Sequence, residues 1–574
     1  MILIPVELSR MVREALAALQ VEGKLPAFEL PTIEVRPSKR AEQGDYSTAL
    51  MGLAKPARMN PSQIATLTAE RLAKPDYVAK VEAVAPGYLN FWLNEGWLRA
   101  QAGAIIAEGE TLGQLAQGQG KRAQVEFVSA NPTAPLHIGR SRGAIVGDTM
   151  ARLLQAAGYD VEREYYFNNA GAQMRALGNS LRIRYLEVLG RPYEMTEEER
   201  KTFYQGDYLK EFAAQLAAEV GDSWADKGYE AFKQYAEGKM FAMIRATLAR
   251  VDIHHDVFFN ENTLYDSGAN ADILERLDRA GYIYRASVPE TDGGAPDDDE
   301  DAKDADKGQA TWFRSSRFGD PKDRVMVKSS GEPTYTLPDI AYHVNKLERG
   351  FDLCVNVLGA DHNTQYQVVR NGLEALGYDS GKVHVIIVQL VALLRGGEVV
   401  RMSSRAGNFE TLDDLIDQTS PDAVRYMLLA RSSDTHLNFD LDLAVKKSND
   451  NPVYYVQYAH VRCAGIFREA AARGVTDEGA DLSLLGEPEM RFLRKALELP
   501  EVVADSVTFF EPHRIAFYAL ELANVFHPIF DSVRVLGVDV PPELAAARLR
   551  FFKAAQVVFR RSLRLMGMTT PEVM

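Results

Sequence analysis

Two short strand-like runs, "RAQVEFVSA" at 122–130 and "VEREYYF" at 161–167, are joined by a proline-rich turn and one long amphipathic helix. This order limits the fold more than any other feature. Strands joined through a helix do not pair as a hairpin. They lie parallel in a sheet whose faces are covered by helices. The helix is marked by Val146, Met150, Leu153, Leu154 and Ala157 at intervals of three and four, and Gly158 ends it. The pattern resumes far downstream with the strand "FDLCVNVLGADH", a helix stopped by Gly377, and the strand "VHVIIVQL". Residues from about 175 to 325 between the two stretches are polar and mostly helical. The expectation is a multidomain α/β protein with one split, Rossmann-like parallel sheet carrying an insertion.

At 574 residues the chain exceeds a single ordinary core, so further domains are expected. Residues 1–105 read as a small α/β domain, with the helical spacing of "VELSRMVREALAAL" and the turn and strand of "VAPGYLNFWLN". The glycine-punctuated "LGQLAQGQGKR" reads as a linker, residues 120–445 hold the sheet, and 446–574 read as all helix. Asn451-Pro452 starts a helix there and Gly474 ends it. The net charge of −15 argues against a general nucleic-acid coat but not against a local basic face. Two cysteines, Cys354 and Cys463, form no CxxC site and suit a reducing cytoplasm. "MILIPVELSR" lacks the parts of a signal peptide, and "VHVIIVQLVALL" is too short to span a bilayer. The Asp297–Asp301 run lacks the alternate spacing and glycine of a calcium loop and reads as a solvated acidic loop within 292–307. No spacing around His254 and His255 suggests zinc.

Two loops carry the chemistry. In "NPTAPLHIGRSRG", 131–143, prolines stiffen the turn, Gly139 allows close approach, and the following helix N-terminus offers N–H groups and partial positive charge to a phosphate. His137 beside it is a hydrogen-bond donor, or equally the surface residue of an ordinary capped helix; the segment alone supports both. In "EVVRMSSRAGNFETLDDLI", a Gly396-Gly397 hairpin leads to Arg401, Ser403, Ser404, Arg405 and Gly407, then to a Thr411/Asp414 capping box. Arginine, hydroxyl and glycine residues make a plausible phosphate clamp, although such loops are common.

Taken together, "HIG" after the first strand and "RMSSR" after the last resemble the two signatures of class I aminoacyl-tRNA synthetases. "GDYST", "APGYLNFWL", "EFVSANPTAPLHIG", "YQGDY", "SSGEPTYTLPDIAYHVNK", "LGADH" and "NPVYYVQYAHVR", in that order, resemble the arginyl-tRNA synthetase family nearly end to end. The resemblance implies activation of L-arginine with ATP and Mg2+, without zinc, and transfer to the 3′-terminal adenosine of tRNA(Arg), with tRNA bound first. It also implies a cytoplasmic, monomeric protein without proofreading. It implies catalytic roles for His137, Gly139, Arg140, Arg401, Met402, Ser403, Ser404 and Arg405. ATP would meet Pro135, His137, Gly139, Arg140, Gly359, Asp361, Met402 and Ser403. Arginine would meet Glu126, Ser129, Asn131, His137, Tyr335, Asp339 and His362, with Tyr335 and Asp339 on the guanidinium. Pro338 fits only near a helix start, which puts Tyr335 in the preceding turn.

This sequence departs from the family pattern at its phosphate-binding positions. Arg140 stands where the first signature commonly has a second histidine, and Ser404 where the second commonly has lysine. Thr133 and Ala134 occupy positions where a compensating lysine often lies. Arg140, Arg401 and Arg405 are therefore expected to supply the missing charge, since guanidinium also grips phosphate. The alternatives are a catalytically silent tRNA-binding relative and a different nucleotidyltransferase. For tRNA, the resemblance implies a helical anticodon-binding domain from about residue 450 and an N-terminal module at the tRNA corner. Tyr46 and Asn90 are candidate contacts in that module and Tyr454 in the helical one. The last segment carries Arg548, Arg550, Lys553, Arg560, Arg561 and Arg564 without an acidic residue, a candidate positive stripe. Phe517, Tyr518 and Phe526 could stack bases but are expected to be core.

Overall fold

The computed structural model describes residues 3–38, 40–191, 193–289, 308–360, 363–400 and 411–574. The chain divides into two compact units. One combines Met1–Leu115 with Lys447–Phe509 and Arg514–Met574; the other is Ala116–Lys446 with Phe510–His513.

In the first unit, helix α1 (Ile4–Val21) buries Leu8, Val12, Leu16 and Leu19 at helical intervals. Strands β1 (Val35–Pro37), β2 (Tyr46–Ala49), β3 (Val78–Val84) and β4 (Tyr88–Leu93) form an antiparallel sheet in the order β1-β2-β4-β3. Short α2 (Ala54–Ala57), then α3 (Pro61–Arg71) and α4 (Glu95–Glu108), accompany it.

The second unit is built on a five-stranded parallel sheet. Strand β5 (Arg122–Glu126) leads into α5 (Ile138–Ala156) and then β6 (Asp160–Phe167). A helical stretch follows: α6 (Gly171–Val188), α7 (Glu197–Thr202), α8 (Asp207–Val220) and α9 (Tyr229–Arg250). The chain then returns to the same sheet as β7 (Val257–Asn260), pairing parallel to β6. After α10 (Asn262–Asp266) and α11 (Ala269–Arg279), strands β8 (Ile283–Ala286), β9 (Ala310–Phe313) and β10 (Arg324–Val327) make a separate antiparallel sheet. Helix α12 (Thr336–Glu348), strand β11 (Leu353–Gly359), helix α13 (Asn363–Ala375) and strand β12 (Val383–Val388) complete the main sheet, whose order is β12-β11-β5-β6-β7. Strands β13 (Val391–Arg395) and β14 (Glu398–Val399) form the expected hairpin, with Gly396 and Gly397 both at positive φ. Helices α14 (Leu412–Gln418) and α15 (Pro421–Leu429) precede β15 (Leu437–Asp440), which pairs with β13, and short α16 (Leu441–Ala444).

The split sheet is therefore present, but the expected single insertion is two pieces divided by β7. Its "VFFN" is too short to register among polar helices. The strand order reverses between β5 and β11, and the carboxyl ends of those two strands are where ligands of such sheets bind. The acidic run of 292–307 lies outside the described residues.

Chain ends that read as separate modules pack as one unit. It contains α17 (Pro452–Ala472), capped by Asn451 as expected, α18 (Glu487–Ala496), α19 (Leu499–Phe509), α20 (Arg514–Ser532) and α21 (Pro542–Leu565). The basic stripe on α21 is largely spent inside this unit. Arg560 and Arg564 both pair with Glu110, Arg561 Nε donates to Leu112 O at 2.9 Å, and Arg548 meets Glu489 at 3.2 Å. Lys553 pairs with Asp477 at 2.5 Å. The missing acidic partners come from other segments, which no reading of α21 alone could reveal. Tyr46 and Asn90 are also corrected: they are 4% and 5% exposed within the small sheet, so both side chains serve its core. Tyr454 is half-buried and stacks on Tyr458. Tyr518 and Phe526 are core as expected, whereas Phe517 is 43% exposed. Among the described residues no helix is long and apolar enough to cross a membrane.

One glycine of α5 sets its distance from the sheet. A Cβ on Gly147 would lie 2.3 Å from Phe127 Cγ, so only glycine lets α5 lie this close. Gly238 in α9 faces open space. Gly147→Ala is expected to destabilise the protein by about 1–3 kcal/mol through overpacking. Gly238→Ala is expected to stabilise it by up to about 1 kcal/mol through helix propensity. Urea unfolding of both variants checks the opposite signs.

Candidate active site

The segment after β5 turns sharply. Val128 and Ser129 have φ of 71° and 41°, a left-handed conformation that a β-branched valine rarely adopts. Hydrogen bonds hold it there. Ser129 Oγ donates to Glu126 Oε1 at 2.9 Å, and Tyr166 N donates to Ser129 Oγ at 3.2 Å. Tyr165 Oη donates to Ala130 O at 2.7 Å. Asn131 Oδ1 accepts from Asn168 N at 3.0 Å, while its Nδ2 donates to Gln173 Oε1 at 3.1 Å. Tyr208, the last residue of "YQGDY", donates from its hydroxyl to Thr133 O at 2.8 Å and so braces the proline-rich turn.

That turn delivers His137 to the N-cap of α5. Its Nδ1 accepts from Gly139 N at 3.0 Å. One of the helix N–H groups expected for phosphate is thus taken by His137 itself. Burial lowers the His137 pKa, so the ring is neutral; with Nδ1 accepting, its proton is on Nε2. A Cβ on Gly139 would sit 3.1 Å from His137 Nδ1, so the glycine makes room for this imidazole as well as for a ligand. The chain emerging from the second loop comes to the same place. His137 bridges Thr411, and Leu412 N donates to Leu136 O at 2.8 Å. Thr411 and Asp414 form the expected capping box. Arg401, Met402, Ser403, Ser404 and Arg405 lie outside the described residues, as do Asp361 and His362.

The two arginines of "GRSRG" diverge, because residues two apart point to opposite sides of a helix. Arg142 is fully buried and donates to the carbonyls of Gln389, Arg431, Ser432 and Thr435. Burial pushes its pKa down to about 10. Arg140 is exposed and faces two adjoining cavities, of about 420 and 460 Å3.

The first cavity gathers Glu126, Ser129, Asn131, Tyr335 and Asp339, five of the seven residues expected around arginine. Tyr335 is the N-cap residue of α12 and 73% exposed, with Asp339 in the first turn, as Pro338 required. A third carboxylate, Glu261 from the turn after β7, also lines this cavity. Nothing in the local sequence marks it out, because the four-residue β7 is too short to show a strand pattern. The second cavity is lined by His137, Gly139, Arg140 and Gly359, with no carboxylate among its described residues. His137 lines the second cavity and not the first, and Pro135 lines neither. Val128, Arg140, Val357 and Leu358 are common to both. One compartment suits a cation, the other a polyphosphate, and a guanidinium stands where they meet.

Asn can cap a helix but cannot reproduce the Nε2–H donor of His137. His137→Asn is therefore expected to keep the melting temperature within a degree or two while lowering the chemical rate about 10²–10³-fold. His137→Ala should lose about 1 kcal/mol of stability in addition. Melting curves read beside single-turnover rates separate the two roles. A pH effect follows from two other histidines, the half-buried His255 and the buried His343, whose pKa values desolvation pushes down to about 4 and about 3. Below the ordinary value of 6.5 the unfolded chain takes up protons there that the folded chain does not. Stability should be complete above pH 6.5 and fall as pH drops toward 4, by about 1.4 kcal/mol per pH unit for each histidine. Equal urea midpoints at pH 7 and pH 5 would contradict this.

Comparisons with known proteins identify the family. A family model described as "tRNA synthetases class I (R), catalytic domain" matches residues 101–440. "Arginyl tRNA synthetase N terminal domain" matches 7–93, and "DALR anticodon binding domain" matches 456–574. The arginine–tRNA ligase of Carboxydothermus hydrogenoformans is 41% identical over 561 residues, 96% of each chain. That of Chlorobaculum tepidum is 43% identical over 544 residues, 92% of this chain and 94% of the relative. The arginyl-tRNA synthetase structure of Thermus thermophilus shares the fold with a TM-score of 0.74 at 21% identity, covering 99% of this chain and 100% of that one. The chain belongs to the arginyl-tRNA synthetases, of class I.

Proposed function

We propose that the protein is an arginine–tRNA ligase whose first cavity holds L-arginine and whose second holds ATP. The observation that carries this reading is the contrast between a cavity walled by Glu126, Glu261 and Asp339 and an adjoining one without a carboxylate among its described residues, with Arg140 between them. Tyr335 and Asp339 take the guanidinium, whose planar donors need acceptors in fixed positions. Asn131 and Ser129 take the α-amino group, with Glu126 as a further carboxylate. The substrate carboxylate then points toward the second cavity.

There the carboxylate oxygen forms a bond to the α-phosphorus of ATP as the bond to the β-phosphate bridging oxygen breaks, releasing pyrophosphate. The protein contributes positioning and charge rather than covalent chemistry. His137 Nε2–H and the Arg140 guanidinium are the donors suited to the α-phosphate, with Arg401 and Arg405 serving the leaving pyrophosphate. Magnesium would accompany ATP and offset the charge of its phosphates, and the described lining of the second cavity offers it no carboxylate. The activated arginine passes to the 3′-terminal adenosine of tRNA(Arg). The unit formed by the two chain ends binds that tRNA, with Tyr454 and the outward parts of α21 as contacts. The same reading makes the protein a cytoplasmic monomer.

ATP–pyrophosphate exchange, run with each amino acid and with or without tRNA, tests the proposal. The expected result is exchange with arginine alone and only when tRNA(Arg) is present. Exchange with another amino acid, or none under any condition, would overturn it. Arg140→Ala is expected to lower the exchange rate about 10²–10³-fold, and Arg140→Lys to recover part of it as a monodentate charge. An unchanged rate in Arg140→Ala would remove Arg140 from the mechanism.

A further inference from the structure

Along the wall of the first cavity, which Glu126, His343 and Asn356 line, runs a chain of buried polar groups that passes through Lys346 behind it. Lys346 on α12 is 0% exposed. Its Nζ donates to Glu126 Oε2 at 2.7 Å and to Asn356 Oδ1 at 2.5 Å, and lies 4.2 Å from the Tyr342 ring centroid. Asn356 Nδ2 lies 3.0 Å from His343 Nε2, and His343 Nδ1 lies 2.7 Å from the Asp339 carbonyl. The directions follow from the groups themselves. An ammonium can only donate, so Asn356 Oδ1 accepts and its amide N–H donates to His343 Nε2. The proton of the neutral imidazole is then on Nδ1, where it donates to Asp339 O. The chain starts at one cavity carboxylate and ends on the backbone of another.

We propose that Lys346 is a positioning residue for arginine recognition, holding the Glu126 carboxylate on the cavity wall and, through Asn356 and His343, bracing the helical turn that carries Asp339. The inference rests on arginine being the ligand of this cavity. Its physical basis is charge and direction together. Three carboxylates, Glu126, Glu261 and Asp339, line the cavity, and arginine brings two cationic groups into it. One lysine beneath the wall reduces the excess of negative charge to two. Glu126 is only 6% exposed, and without Lys346 it would be a buried charge lacking its ion-pair partner.

The test is calorimetric binding of L-arginine to the full-length protein and its variants, with ATP affinity as the control. Lys346→Met is expected to weaken arginine binding at least tenfold and leave ATP affinity within twofold. Because Lys346 acts through Glu126, adding Lys346→Met to Glu126→Gln should cost no more than a further twofold. Asn356→Leu removes both the acceptor for Lys346 and the N–H given to His343 without adding a charge to the cavity. It should weaken arginine binding at least threefold and change the ¹⁵N shifts of the His343 ring. A cooperatively melting Lys346→Met whose arginine affinity stays within twofold of the parent would overturn the proposal, as would a parallel loss of ATP affinity. Should Lys346→Met not fold, Asn356→Leu decides alone, and unchanged arginine binding there overturns it. Calorimetry reads binding without turnover. A parent chain that binds arginine but exchanges no pyrophosphate would therefore refute the ligase reading and leave these ratios decisive.

Discussion

Strands β5 and β11 lie side by side and parallel, in register from Ala123–Leu353 to Glu126–Asn356. The chain leaving β5 crosses through α5 to β6 on one side, and the chain leaving β11 crosses through α13 to β12 on the other. Right-handed crossovers to opposite neighbours put the two helices on opposite faces of the sheet. A crevice opens at the carboxyl ends of the two strands because neither helix covers it. Both cavities lie in that crevice. Glu126 and Val128 reach them from β5, and Asn356, Val357 and Leu358 from β11.

Ionic groups fix the geometry around this crevice. Asp148, on α5, is 1% exposed and accepts from Arg425 at 2.5 Å and Arg152 at 2.7 Å, so the signature helix is tied to α15. Arg142 ties the start of the same helix to the 431–435 loop through three carbonyls and to Gln389 through a fourth. Lys346 ties α12 to β5 and β11. Removing one partner from such a contact leaves a buried charge uncompensated, so these residues constrain position more than they add net stability. The first signature turn is held from three directions: by Tyr165 of β6, by Tyr208 of α8, and by the backbone of Leu412.

Much of the site was legible in the sequence. Glu126, Ser129, Asn131, Tyr335 and Asp339 were expected around one ligand and line one cavity. These residues come together because their positions depend on local turns, such as the one that makes His137 an N-cap. What escaped depended on distant partners. Glu261 was missed because β7 is four residues long, and Lys346 because a lysine within "AYHVNK" reads as an ordinary solvated charge. The C-terminal arginines seemed unpaired because Glu110 and Glu489 come from elsewhere in the chain. Tyr46 and Asn90 appeared available because their burial needs the neighbouring strands.

By itself the sequence determined the elements and their order: a parallel sheet interrupted and resumed, helices bounded by Asn451, Thr411 and Gly158, and two signature loops at strand ends. These follow from apolar periodicity and from backbone restrictions that each segment carries alone. Only the tertiary structure decided where charges end up, because an ion pair exists only once two remote segments meet and water leaves. That is why Arg142 is spent on the carbonyls of remote segments while Arg140 faces the two cavities, and why Glu126 rests on a lysine 220 residues away.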